Sequence, residues 1–280
     1  MRDNPASTAA IHAAPARIPP IHASMNDDAH TRKSTAERLV AALRDDEFIL
    51  YAQKIDCIAD DLDGRPFHEI LVRLKEEEQK HLPPGMFIPL LQDLHLMPML
   101  DRWVVAAVIR WLRRHRSAEA DWPLPRNSVN LAADTLADER FAGYLHKHLE
   151  GSKLPGWTLS FEIFCEDAIR HPKHVQRTMA ELRALGCSFS LAGFSGDHLS
   201  LAVLESVRPD FVKIEGGLAS RMDRDLEVYT RVEAIFRKCR ARGIRTVAEH
   251  VEDRGALLKL REVGVDYAQG YFIGHPEPLA

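Results

Sequence analysis

The sequence predicts an α/β fold in which eight strands close into a (β/α)8, TIM-like barrel. Three observations carry this. Short apolar runs alternate with longer helical patterns, the arrangement that gives a parallel sheet with crossover helices. The runs are almost free of charge inside, as strands buried on both faces must be. Eight of them fall between residues 48 and 272, which suits a closed barrel better than an open sheet.

The chain has 280 residues, 45% hydrophobic and 28% charged, enough for one large core. Residues 1–33 carry many alanines, Pro5, Pro15, Pro19 and Pro20 and no aromatic residue, so a disordered leader is expected there. Its apolar stretch is broken by His12, Pro15 and Arg17, unlike a secretory signal. The barrel domain is expected over 34–280. Ser34 with Glu37 three residues on reads as a capping box opening the first helix. The strand candidates follow in order: 48–55, 67–74, 127–131, 158–164, 187–192, 210–215, 244–249 and 266–272. Amphipathic helices are predicted over 101–115, 166–186 and 225–243, the last two closed by a glycine.

Composition removes several classes of function. With 37 Lys+Arg against 41 Asp+Glu the net charge is −4, unsuited to a nucleic-acid backbone as main partner. The apolar stretch Trp103 to Ile109 is far short of the roughly 20 residues a membrane span needs. Cys57, Cys165, Cys187 and Cys239 are widely spaced, which fits neither a zinc site nor a disulfide framework and points to a reducing cytoplasm. His146 and His148, two apart on a helix, make a poor metal pair. The run 75–81 (KEEEQKH) and the charges Arg110, Arg113, Arg114 and His115 read as solvated surface.

Chemistry on a barrel gathers at the C-terminal strand ends. There Glu69, Asn130, Glu162, Lys213, Glu249 and Gln269 interrupt or close otherwise apolar strands. Each alone is explained by a single partner, with Lys213 the obvious counter-ion for Glu69 or Glu162. Together, on successive strands, they favour a site. An oxygen set of the Glu, Asn, Glu type suits a hard cation such as Mg²⁺, Mn²⁺ or Ca²⁺.

In order and wording these residues resemble the EAL domain family, the cyclic di-GMP phosphodiesterases of bacteria. FILYAQKI resembles the family's first strand, with Gln53 kept and Lys54 in place of a proline; Glu69-Ile70-Leu71 stands for the Glu-Ala-Leu signature, with Arg73 two positions on. FIPLLQDLHL (87–96), VNLA with Asn130, FEIFCE with Glu162, VKIEGG with Lys213, VAEHVE with Glu249 and Glu252, and QGYFIGHPEP with Gln269 continue the match over roughly residues 37–279. The resemblance implies a barrel of the EAL type. It implies metal ligands at Glu69, Asn130 and Glu162, catalytic positions at Lys213 and Glu249, and ligand contacts at Gln53, Arg73, Glu252 and Gln269.

The pattern departs at LAGFSGDHLSL (191–201), where the family's adjacent aspartates are Ala192 and Gly193. Cys165 stands where a second glutamate is common, and His250 where the family has glycine. The aspartates hold and bridge the cations that activate water, so the second metal is not expected to bind. The expectation is therefore a degenerate, catalytically inactive member that regulates through a protein partner. No cofactor is required, one Mg²⁺ or Mn²⁺ is left open, and so is a homodimer. Regulatory input is expected from partners in trans. The alternatives are a cyclic di-GMP receptor without hydrolysis and a weak metal-dependent phosphodiesterase. Neither nucleic acid nor membrane is expected as a partner.

Overall fold

The structure is a computed structural model describing residues 29–59, 64–75, 81–82, 84–118 and 123–279. Its strands are β1 (Phe48–Lys54), β2 (Asp56–Cys57), β3 (Phe67–Lys75), β4 (His81–Leu82), β5 (Arg126–Asn130), β6 (Leu159–Phe164), β7 (Ser188–Phe194), β8 (Phe211–Ile214), β9 (Arg245–Ala248), β10 (Tyr267–Ala268) and β11 (Glu277–Pro278). The helices are α1 (Ala29–Arg44), α2 (Pro84–Asp93), α3 (Met97–Ala118), α4 (Ala133–Ala137), α5 (Phe141–Ser152), α6 (Cys165–Arg170), α7 (Pro172–Ala184), α8 (His198–Val207), α9 (Gly216–Ala219), α10 (Leu226–Arg240) and α11 (Arg254–Val263). Around the sheet the order is β11-β1-β3-β5-β6-β7-β8-β9-β10-β2, with β4 on β3. Residues 48–57 therefore pair with β3 at one end and with β10 at the other, which curls the sheet into a barrel.

From β3 to β10 the main strands run parallel, as the alternating pattern predicts. The first strand does not: β1 is antiparallel to β3, with Gln53 opposite Glu69. No helix lies between them among the described residues, and a parallel pair needs a longer crossover. Three further elements differ from expectation. Helix α1 begins at Ala29, so Ser34 lies inside it and not at its start. The helix expected over 166–186 breaks at His171, because Pro172 has no amide to continue α6 and instead opens α7. The strand expected over 266–272 ends at Ala268; at Gly270 a β-carbon would stand 2.2 Å from the Val251 carbonyl, and the chain turns away. Of the expected leader, residues 1–28 lie outside the described residues, as do 76–80 of the charged run.

Two-residue alternation divides each strand between lumen and outer face. Phe67, Phe211, Val247 and Tyr267, with Ile55, form one buried cluster. The Phe67 and Phe211 rings meet at 5.2 Å although their strands are not neighbours, so this cluster fills the lumen. The outward residues Val129, Phe161, Phe189, Leu191 and Val212 join the larger core beneath the helices. Asp197, Asp225 and Asp253 cap the N-termini of α8, α10 and α11, satisfying amides that a helix start leaves open. Among the described residues no helix is long and apolar enough to cross a membrane.

Candidate functional site

The polar layer lies two residues beyond the apolar plug. Phe67 is followed at that spacing by Glu69, Phe211 by Lys213, Val247 by Glu249 and Tyr267 by Gln269. Strand parity thus sends these side chains into the same lumen, nearer the C-terminal ends.

Lys213 is the hub. Its Nζ lies 2.7 Å from Glu69 Oε2, 2.8 Å from Glu162 Oε2 and 2.9 Å from Glu249 Oε1. The lysine is 1% exposed, Glu162 2% and Glu69 8%. Asn130 Nδ2 donates to Glu69 Oε1 at 3.1 Å, and Gln269 Nε2 donates to Glu69 Oε2 at 2.7 Å and to Gln53 Oε1 at 3.1 Å. Gln53 in turn donates to the Gly274 carbonyl at 3.0 Å, tying the layer to the C-terminal loop. Ser128, which sequence reasoning missed, donates to Glu162 Oε2 at 3.1 Å. Its signal was parity: Ser128 and Asn130 share one face of β5.

Charge balance follows from these contacts. Burial pushes against charge on Lys213, yet the three carboxylates hold its ammonium well above the ordinary lysine range. Burial also raises Glu69, but the Lys213 charge and the donors Lys213, Gln269 and Asn130 bring it below the usual carboxylate value. Glu162, more deeply enclosed and beside two other carboxylates, is pushed up to about 8 despite Lys213. Oxygens of Glu69, Glu162 and Glu249 lie within 4.8 Å of one another. That all-oxygen set, with the Asn130 amide beside it, has the chemistry of one hard-cation site.

Ala192 and Gly193 sit where the β7–β8 register shifts, between Leu191 and Phe194. Ala192 is buried, and Gly193 takes the left-handed conformation at φ 64°. A β-carbon on Gly193 would lie 3.7 Å from the Phe164 ring. Phe164, also missed in the sequence, is 49% exposed at the end of β6. Asp197 is engaged elsewhere, its Oδ1 accepting from Ser200 N at 2.7 Å. Cys165 is buried, its thiol pushed up to about 12 chiefly by desolvation, which makes it inert.

Two cavities open from the layer. One, of about 340 Å³, is lined by Gln53, Arg73, Glu252, Gln269 and Tyr271 among others. The other is a groove of about 750 Å³ running past Asn130, Glu162 and Phe164 to Ile88, Met97 and Leu100. Glu69, Leu71, Glu249 and His250 line both. Arg73 lies over the Tyr51 ring at 5.5 Å and donates to the Val72 carbonyl at 3.0 Å. Lys54 turns out of the mouth to Asp56, 2.8 Å away. Asp101 lies beneath the groove, accepting from Ala132 N at 2.9 Å and Thr135 Oγ1 at 2.5 Å. Desolvation raises its carboxyl to about 7. It opens the helix stretch DRWVV, an acid before an apolar run, which was the available signal.

His250 takes φ 54°, a conformation costing roughly 1–2 kcal/mol for a residue with a β-carbon. Its ring occupies the space beside Gly216: a β-carbon there would fall 2.1 Å from Nδ1. A further cavity of about 600 Å³, lined by Arg126, Arg242 and Arg245 among others, lies at the opposite barrel end. There Arg242 pairs with Glu205 and Arg245 with Asp266, and that end serves stability in barrels of this class.

A curled β/α barrel with a charged layer across its C-terminal mouth defines the class of protein. The EAL domain profile matches residues 36–276, and the chain belongs to the EAL domain family. It is 31% identical over 242 residues to the cyclic di-GMP phosphodiesterase PdeF of Escherichia coli and 32% identical over 245 residues to PdeB of Shewanella oneidensis. These alignments take in 86% and 88% of this chain but 32% and 28% of those proteins, so the chain spans about a third of the curated relatives it matches. The fold is similar to the FimX EAL domain of Xanthomonas citri in complex with c-diGMP. That likeness has a TM-score of 0.81 and 24% identity, over 89% of this chain and 95% of that one. The PaMucR phosphodiesterase in its c-di-GMP complex gives 0.76 and 25%, over 87% and 97%.

Proposed function

We propose that this chain is a non-hydrolysing EAL domain that acts in cyclic di-GMP signalling by binding, its mouth serving as the receptor site for the dinucleotide. One observation carries the reading. At the two positions where the resemblance puts aspartates, Ala192 is buried and Gly193 faces the Phe164 ring, while the retained carboxylates converge on Lys213. The oxygen set of Glu69, Asn130, Glu162 and Glu249 suits one Mg²⁺ or Mn²⁺, which would supply charge neutralisation for a phosphate. Hydrolysis of the family type needs the second cation to complete water activation. Binding is supported by the open cavities on either side of Glu69 and Glu249, with Arg73 in one of them.

Incubation with cyclic di-GMP and Mg²⁺ or Mn²⁺, followed by chromatography, tests the first half of the proposal. The expected result is intact substrate, and steady formation of linear dinucleotide overturns it. Calorimetric titration with cyclic di-GMP tests the second half. A regulatory protein partner is the second reading. Met86 and Met99 stand exposed on α2 and α3, the helices that carry Ile88, Met97 and Leu100 to the groove. Absence of dinucleotide binding moves the function to that surface.

A further inference from the structure

His250 and Gly216 are matched to each other and to the mouth. A histidine in the left-handed region at φ 54° persists only where its surroundings hold it, and such outliers gather at ligand sites. Here the hold is Gly216, because a β-carbon at that position would lie 2.1 Å from Nδ1 and 2.4 Å from Cγ of the ring. The imidazole is thus seated against the first residue of α9, just past the Lys213 strand. It lines both the cavity that holds Arg73 and the groove that holds Asn130 and Phe164. A ligand occupying both chambers passes the rim that this ring shares with Glu69, Leu71 and Glu249.

We infer that His250 is a ligand-contact residue that sets what the mouth accepts. Its seated imidazole offers a hydrogen-bond donor, an acceptor and a flat face to the sugar–phosphate portion of a cyclic dinucleotide whose two bases enter the two chambers. This rests on the receptor reading above and adds a residue to it. Gly216 acts through His250 as a positioning residue, fixing where the ring stands.

Two variants test the inference by calorimetry with cyclic di-GMP, alongside thermal melting. His250→Gly keeps the backbone conformation, which glycine adopts freely, and removes the ring; Gly216→Ala keeps the ring and unseats it. Both are expected to weaken binding by tenfold or more, while His250→Gly melts no lower than the parent. Parent-like or tighter affinity in His250→Gly overturns the inference and leaves the receptor reading standing. No binding by the parent itself overturns both.

Discussion

The ammonium of Lys213 stands 2.7 Å from the carboxylate of Glu69, 144 residues earlier in the chain. The contact spans the lumen, because β3 and β8 are not neighbours in the sheet. Lys213→Ala would leave Glu69, Glu162 and Glu249 facing one another without a counter-charge. Breaking a buried pair in this way costs about 3–5 kcal/mol. Urea unfolding is expected to show a loss of that size, partly recovered with Mg²⁺, since the cation can replace the ammonium among the oxygens. A loss under about 1 kcal/mol would mean that the carboxylates find water instead.

Stability should also depend on pH through Asp101. Its folded carboxyl lies at about 7 against an ordinary value of 3.8, so the folded state holds this proton more tightly than the unfolded one. Between those two values the unfolded chain binds fewer protons, and this group's contribution to stability falls as pH rises. The contribution is fully present below about 4 and lost by about 7. Asn at 101 can still accept from Ala132 N and Thr135 Oγ1, but carries no charge. Asp101→Asn is therefore expected to be relatively more stable than the parent at pH 8 than at pH 4, by on the order of a few kcal/mol. Parallel melting-temperature curves for the two proteins across that range would refute the assignment.

The polar layer was legible because it obeys strand parity. Glu69, Lys213, Glu249 and Gln269 each follow an apolar lumen residue by two positions, a spacing visible in the sequence. The antiparallel β1 was hidden, because an apolar run looks alike in either direction and only the short connection to β3 betrays it. The break at His171 was marked by Pro172 but overridden by the apolar periodicity on both sides. The ring of Phe164 over Gly193 and the ring of His250 beside Gly216 were not legible at all. Both depend on which strands lie side by side and on backbone conformations that no local pattern specifies.

On the proposed reading, the second cation position is lost through missing charge and not through steric exclusion. Replacing Ala192 and Gly193 by Asp supplies two carboxylates, the second at a left-handed position where the Phe164 ring stands in ordinary van der Waals contact 3.7 Å from its β-carbon. Aspartate tolerates that backbone better than most residues, and the ring leaves room for its β-carbon. Ala192→Asp with Gly193→Asp is therefore expected to bind a second Mn²⁺ beside the first. Counting bound Mn²⁺ by titration decides it: no more ions in the double variant than in the parent would show that more than charge is missing.

Arg73 separates a ligand-binding mouth from a structural one. It stands near the C-terminal end of β3, half-buried over Tyr51, and among the described residues its side chain donates only to the neighbouring Val72 carbonyl. It takes no part in the Lys213 network, whose carboxylates are already met by Lys213, Asn130, Gln269 and Ser128. Removing a side chain with no buried partner usually changes stability by no more than about 0.5 kcal/mol. As a guanidinium in the smaller cavity, however, it is the group best suited to a phosphate oxygen. Arg73→Ala is therefore expected to melt like the parent while cyclic di-GMP affinity drops at least tenfold. A variant that melts well below the parent would make Arg73 part of the scaffold, and unchanged affinity would place the dinucleotide elsewhere.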